Sequence, residues 1–343
     1  MSRVFLDRFE RPEQLPAMIA EALRWIRAGQ IIHPGTRLFI KPNLTWRVPT
    51  PGVTITPYFI RTLVEQLLPL TSDITIGESE GGQASFQAEE AFETHGIYDL
   101  ARDFGVKVVN LSKGTVELAT IAVCGRDETV ELPSLLLHEI DVFLTLAVPK
   151  VHAMTRVSLG FKNQWGCLGD KMRVTQHPRF DRAIVAINKL VKTRICIFDG
   201  TYFLDFTGPM MGDAVPMNVV IAGDDPGAAS FAACEVMKIP PLSVPHHRVA
   251  RRDGMFPASA GEIEMNRNPR ELARRQFKLH RAFINYIHLA AFHVRPLNRL
   301  FYDSMFADAL HEILWFIRRQ PLIRRFLYGK YGAGDANRGG RIV

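Results

Sequence analysis

The sequence predicts an α/β protein: a mainly parallel sheet with helices on both faces, followed by a basic, aromatic-rich helical extension. Three observations lead there. Short, continuously apolar runs of strand length alternate with stretches whose apolar residues recur at helical spacing, the pattern of parallel strands buried on both faces. Charged and amide residues collect directly after those runs. The net charge of +7 is also uneven. Residues 241–343 carry 18 Lys and Arg against 8 Asp and Glu, leaving 24 and 27 for residues 1–240. Such asymmetry predicts a surface that meets something anionic.

The 343 residues are 47% hydrophobic, enough for one large core or two modest ones. Ordinary Gly and Pro contents, with 4 cysteines, exclude a disordered, collagenous or disulfide-dense chain. No apolar run reaches the ~18–20 residues that span a bilayer. The start, Met1-Ser2-Arg3-Val4, shows no leader-like apolar segment. The expected location is cytoplasmic, with or without membrane association. Cys124, Cys167, Cys196 and Cys234 are scattered and form no Cys-x-x-Cys, so they read as reduced residues. No iron–sulfur cluster bound by this chain is expected.

The elements follow in order. Leu15, Ile19, Leu23 and Ile26 set a helix within residues 12–30. Residues 37–41 read as a strand, 58–70 as a helix, 73–77 as a second strand and 87–95 as a helix. A third strand covers 106–111, and a strongly buried one 141–148. A helix over 179–191 precedes a strand at 194–198. A last strand at 217–222 precedes a helix from 226 to about 237. The expected domains are 1–240, an α/β catalytic or ligand-binding unit; 241–331, a helical basic extension serving as lid or membrane contact; and 332–343, a flexible tail.

Strand ends carry the chemistry. Lys41 and Asn43 follow the first strand, Glu78 and Ser79 the second, and Lys150 and His152 the buried one. Asp199 follows the strand at 194–198, and Asp224 and Asp225 the last. In open α/β sheets, ligands bind outside the carboxyl ends of the strands at a topological switch point. The alternative is that charges follow strands because strands end at the surface. Lys162 and Asn163 lie in a mostly apolar, Gly-containing stretch, where a lysine requires a partner, a shifted pKa or an anionic ligand. Lys41, Asn43, Glu78, Ser79, Lys162, Asn163, Lys171 and Gly208 are therefore candidate substrate-binding residues. Lys150, His152 and His177 are candidate catalytic groups for proton transfer. Asp199, Asp224 and Asp225 are candidate ligands for a divalent metal such as Mg²⁺, although Gly223-Asp224-Asp225-Pro226 also reads as a helix start with an Asp cap. Cys167 lacks a base partner in the sequence.

Taken together, Lys41-Pro42-Asn43, Gly77-Glu78-Ser79 with Gly81-Gly82, and Pro149-Lys150-Val151-His152 form a recognisable series. Phe161-Lys162-Asn163, His177, Phe198-Asp199-Gly200, Gly208-Pro209 with Gly212, and Asp225-Pro226-Gly227-Ala228 continue it. Over about residues 37–237 the chain resembles the "domain of unknown function 362" family. That name carries no reaction. Some members are joined to ferredoxin modules, which implies a redox context for those members. This chain has no cysteine cluster, and Ser230 stands where the family pattern puts a second acid. In layout, with Lys and His at a cleft, the chain is similar to the nickel-pincer lactate racemases.

Residues 267–330 mix 13 Lys and Arg with 4 acids and many aromatics, and 310–328 read as two amphipathic helical pieces broken at Pro321. Such helices cap a core or lie in a membrane interface. The leading expectation is an enzyme acting on an anionic small molecule (phosphate, diphosphate or carboxylate), with or without a greasy portion, by metal-assisted lyase, isomerase or diphosphate-cleaving chemistry. The alternatives are a redox enzyme or accessory protein served by a separate iron–sulfur partner, and a peripheral membrane or nucleic-acid binding module. The sequence leaves the oligomeric state open.

Overall fold

Leu38 and Ile40 point to one side of their strand and Phe39 to the other, and all three are fully buried. That alternation needs apolar cover on both faces. The computed structural model supplies it, describing residues 1–82, 85–281, 283–302, 304–306 and 320. The strands begin with β1 (Ser2–Arg8), β2 (Leu38–Pro42), β3 (Ile74–Glu78), β4 (Lys107–Asn110), β5 (Val116–Val123) and β6 (Arg126–Pro133). They continue with β7 (Val142–Ala147), β8 (Lys150–His152), β9 (Arg156–Ser158), β10 (Thr193–Asp205), β11 (Asp213–Gly223) and β12 (Ile263–Met265). The helices are α1 (Leu15–Trp25), α2 (Pro57–Leu67), α3 (Ala88–Thr94), α4 (Ile97–Phe104), α5 (Ser134–His138) and α6 (Gly160–Asn163). After them come α7 (Phe180–Leu190), α8 (Pro226–Val236), α9 (Pro245–Arg252), α10 (Phe283–His293) and α11 (Arg295–Tyr302).

The main sheet runs β12-β1-β11-β10-β7-β2-β3-β4, and β10, β7, β2, β3 and β4 are mutually parallel. From β2 the chain moves outward through β3 to β4, then returns to β7 on the other flank of β2. The switch point therefore lies between β2 and β7, and the crevice opens beyond their carboxyl ends. On one face Leu38, Ile40, Leu144 and Ile197 pack with residues of α1 and α2 such as Leu23, Phe59 and Leu63. On the other, Phe39, Phe143 and Phe198 join residues of α7, α8 and α9, among them Ile184, Ala232 and Ala250. The hairpin of β5 and β6 packs on α7.

Several elements differ from expectation for physical reasons. β11 runs antiparallel to β10, and the two strands continue past the sheet as a long hairpin. β1 follows the charged N-terminus and gains its place by pairing with β11 and β12. The boundary expected at 240 is not an edge of the core: β12 extends the sheet, and Val244, Phe256, Leu272 and Phe277 belong to the core. α10 and α11 pack through Ala291 and Tyr302 against Val174, so this part of the extension caps the core. The paired helices expected at 310–328 and the tail at 332–343 lie outside the described residues. Among the described residues no helix is long and apolar enough to cross a membrane.

Burial holds five histidines among the described residues below their ordinary value of 6.5: His95 at about 4, His177 and His247 at about 3, and His152 and His246 well below it. The unfolded chain then binds more protons between those values and 6.5, so stability is lost as pH falls through that window, by ~1.4 kcal/mol per pH unit per histidine. Urea denaturation should show this slope between pH 6.5 and 4.5. Stability independent of pH there would contradict buried neutral rings.

Candidate functional site

The parallel register places the ends of β2 and β3 side by side, Ile40 opposite Ile76. Lys41 and Glu78 therefore meet just beyond the apolar core, and Lys41 Nζ lies 2.6 Å from Glu78 Oε2. Lys41 Nζ also donates to Pro42 O at 2.9 Å, while Glu78 accepts from the backbone N–H of Ser79 and Leu44. Gly166 lies against this pair: a Cβ there would sit 2.7 Å from Glu78 Oε1 and 2.9 Å from Lys41 Nζ. Only glycine allows that approach.

A chain of hydrogen bonds leads onward from the pair. Asn163 Nδ2 on α6 donates to Lys41 O and to Thr145 Oγ1 on β7, each at 2.9 Å. Asn43 Nδ2 donates to Asn163 Oδ1 at 3.1 Å, and Lys150 Nζ donates to Asn43 Oδ1 at 2.9 Å and to Val53 O. Four elements are thereby fixed around one cleft of about 90 Å³. Of the candidate residues named from the sequence, Lys41, Asn43, Glu78, Ser79, Lys150, Lys162 and Asn163 line it.

Arg173 also lines the cleft, and sequence reasoning missed it. Its guanidinium donates to Ser79 Oγ, Leu168 O and Glu80 O at 2.8–3.1 Å. These acceptors are neutral, and among the described residues no carboxylate forms an ion pair with its charge. Nothing in the local sequence separates Arg173 from a surface arginine; only its burial does. Burial, with Lys162 and Lys41 close by, pushes Lys150 well below its ordinary value. Burial, with Arg173 and Lys41 nearby, brings Lys162 to about 7. Lys162 Nζ has no hydrogen-bond or ion-pair partner among the described residues, and it lies over the Phe180 ring, 5.8 Å from the centroid.

Other expected site residues lie elsewhere. Lys171 is exposed and does not line the cleft. Gly208 serves the backbone rather than a ligand, since a Cβ there would fall 1.7 Å from Val151 O; its neighbour Pro209 does line the cleft. His152 is buried behind the lining, and its Nδ1 accepts from Met154 N–H at 3.1 Å. Burial and the charges of Lys162 and Lys150 hold it well below the usual range. His177 is stacked on Phe292 and packed against Trp165 and Phe180, with Nδ1 donating to Val174 O at 2.8 Å. Cys167 is buried, with its thiol pushed up to about 12.

The three aspartates expected to hold a metal do not converge. Because β11 is antiparallel, its carboxyl end lies at the opposite edge of the sheet from that of β10. Asp199 faces Val220, whereas Asp224 lies past the Cys196–Gly223 pair, four residues or about 13 Å along the ladder. Asp199 accepts from Thr56 N and Oγ1 and from Thr201 N and Oγ1, anchoring the start of α2. Asp224 accepts from Arg3 N–H, and Asp225 caps α8 through Ala228 N–H. Ser230, where the family pattern puts another acid, is buried beside Gly160. Among the described residues no three His, Cys, Asp or Glu side chains gather as a metal site.

The sequence profile of the domain of unknown function DUF362 matches residues 38–235, which hold every cleft-lining residue named above. The chain belongs to the DUF362 family. Within reach of this DUF362 chain, the thylakoid-associated protein sll1697 of Synechocystis sp. is 25% identical over 259 residues, covering 73% of this chain and 78% of that protein. Among solved structures, the lactate racemase apoprotein from Thermoanaerobacterium thermosaccharolyticum matches with a TM-score of 0.46 and 13% identity. The match covers 70% of this chain and 58% of the racemase chain. A protein from Thermotoga maritima matches with a TM-score of 0.39 and 12% identity over 72% of this chain and 59% of its own.

Removing one partner from a buried ion pair leaves an uncompensated charge and costs about 3–5 kcal/mol. Glu78→Gln and Lys41→Met should each lose that much stability in urea denaturation. The double variant should lose clearly less than the two losses together. Additive losses would show that the two side chains do not stabilise each other.

Proposed function

We propose that this DUF362 chain is an enzyme that binds a small anionic molecule in the cleft at the β2–β7 switch point and rearranges or cleaves it by proton transfer. Charge imbalance carries this reading. Lys41, Lys150, Lys162 and Arg173 line the cleft against two carboxylates, Glu78 and Glu80. Glu78 is taken by Lys41, and Glu80 accepts from Asn110 Nδ2. Positive charge without a contacting carboxylate, at low dielectric and beside fixed amide groups, stabilises a phosphate or carboxylate and negative charge that develops on it. Lys162, brought to about 7, is able to exchange a proton near neutral pH, and burial lowers Lys150 in the same direction. A divalent cation, if one takes part, would enter with the substrate's own oxygens rather than on Asp199, Asp224 and Asp225.

A second reading has its own observation. Tyr286, Leu300, Met305 and Phe306 are exposed near Arg295 and Arg299, an apolar and basic combination suited to an anionic membrane surface. The thylakoid-associated relative agrees with such contact. The enzyme would then be a peripheral protein of a cytoplasmic membrane face. Cosedimentation with phosphatidylglycerol vesicles, absent with phosphatidylcholine vesicles and weakened by Arg295→Glu with Arg299→Glu, is the expected result; equal binding to both would count against it.

An anion in the cleft raises the affinity of Lys162 and Lys150 for protons, so binding takes up protons. Affinity should therefore weaken as pH rises through about 7, where unliganded Lys162 loses its charge. Thermal melts with phosphate, diphosphate or oxalate test this, since a ligand at a hundredfold excess over its Kd adds ~2.7 kcal/mol. Larger shifts at pH 6 than at pH 8.5, reduced by Lys162→Ala, are expected. The absence of any shift with all three anions would overturn the proposal.

A further inference from the structure

The cleft holds three lysines, and their surroundings differ in kind. Lys41 is bound by Glu78 and Pro42 O, and Lys150 by Asn43 Oδ1 and Val53 O. Lys162 opens onto the cleft with neither hydrogen bond nor ion pair among the described residues. The ionisable groups that act on it or feel its charge are Lys41 on β2, Lys150 and His152 on β8, Arg173 and His177 on the turn before α7, and His246 on α9. None is a carboxylate; the Phe180 ring, 5.8 Å from Nζ, favours the ammonium form only weakly at that distance. Burial and its cationic neighbours bring Lys162 to about 7, where an ordinary lysine stays protonated to above 10. At neutral pH much of it is an amine with a free lone pair.

If the cleft only bound anions, a fully charged lysine would serve better. An uncharged amine beside a retained guanidinium instead suits a molecule with two functions, a carbonyl carbon for the amine and an acid group for the cation. We propose that Lys162 forms an imine with a small oxo acid, whose carboxylate faces Arg173 and whose carbonyl carbon faces Lys162 Nζ. This deepens the anion-binding reading above and rests on it. The Nζ lone pair adds to the carbonyl carbon, and both amine hydrogens leave with the carbonyl oxygen as water. A C=N bond replaces the C=O bond, and no oxidant or reductant is consumed. The protonated imine withdraws electrons from the adjacent carbon and loosens its C–H or C–C bond, which joins the site to isomerase or lyase chemistry.

The test is reductive trapping on the full chain. The protein is incubated with pyruvate or glyoxylate and cyanoborohydride at pH 6, 7 and 8.5, then digested and mapped by mass spectrometry. The expected product is the secondary amine on Lys162, saturable in the oxo acid, with a trapping rate that rises through about pH 7. Acetone, which lacks the carboxylate, should label Lys162 at least about tenfold more slowly at equal concentration, the value of one charge-assisted contact. Lys162→Arg should lose the adduct while its melt still responds to oxalate. Should that variant not fold, the peptide map of the unaltered protein decides alone. Labelling spread over surface lysines with no excess at Lys162, or no labelling, overturns the imine. If oxalate still shifts the melt in that case, the anion site stands without it; if phosphate, diphosphate and oxalate all do nothing, both readings fall together.

Discussion

The ion pair between Lys41 and Glu78 is the constraint around which the upper edge of the sheet is organised. Two adjacent parallel strands end in opposite charges, and both side chains are buried at the floor of the cleft. Burying such a pair is offset only when every remaining polar group finds a partner. That requirement explains the local sequence. Ser79 and Leu44 turn their N–H groups to Glu78, Asn163 takes the carbonyl of Lys41, and Gly166 leaves room for both side chains. The polar cluster that results fixes the β2–α2 loop, β8 and α6 at one place. The same rigidity holds Lys162 and Arg173 beside a cleft, where among the described residues neither has a carboxylate ion-pair partner.

Topology decides which polar residues join that place. At a switch point, neighbouring strands send their connections to opposite sides and leave a crevice between them. β2 and β7 meet this condition, so groups following them converge. β11 does not, because it returns antiparallel along β10. Asp224 and Asp225 follow an apolar run just as Lys41 does, yet they emerge at the other edge and serve Arg3 and α8. One reversal of strand direction thus separates a cluster of aspartates that looks continuous in the pattern of strand ends.

This is also where the sequence was readable and where it was not. Burial on both faces imposes uninterrupted apolar runs, so β2, β3, β7 and the cores of β10 and β11 stood out, with α2, α7 and α8 between them. Residues after the parallel strands were legible as candidates for the cleft lining for the same reason, and Lys162 because a lysine among apolar neighbours demands an explanation. Strand direction leaves no mark on a single run, which hid the reversal at β11. β1 and β12 gain their order from each other and from β11, and their own residues are ordinary. Arg173 and His177 show the limit on side chains. They lie four residues apart on one turn, yet one enters the cleft and the other is enclosed by Trp165, Phe180 and Phe292. The packing of α10 on this turn makes that difference, and it comes from residues more than a hundred positions later.

The three lysines show how one fold can give a single side-chain type different duties. Strand ends bring Lys41 and Lys150 to the cleft and α6 brings Lys162, but the duty of each follows from what its side chain touches. Lys41 contacts a carboxylate, and the pair becomes part of the scaffold. Lys150 has two neutral oxygens in a buried setting, which fix its position more firmly than its proton. Lys162 has open space, an aromatic ring nearly 6 Å away and cations on its flanks. A side chain so placed gains nothing for stability from being charged, and a fold under no other demand would replace it with an apolar residue of similar length. Keeping an amine there is rational when a ligand completes it, by charge if the ligand is only an anion and by a bond if the ligand also carries a carbonyl. The two cases predict opposite responses of the free lysine to rising pH: an anion site weakens as the proton leaves, whereas a nucleophile is released by the same event.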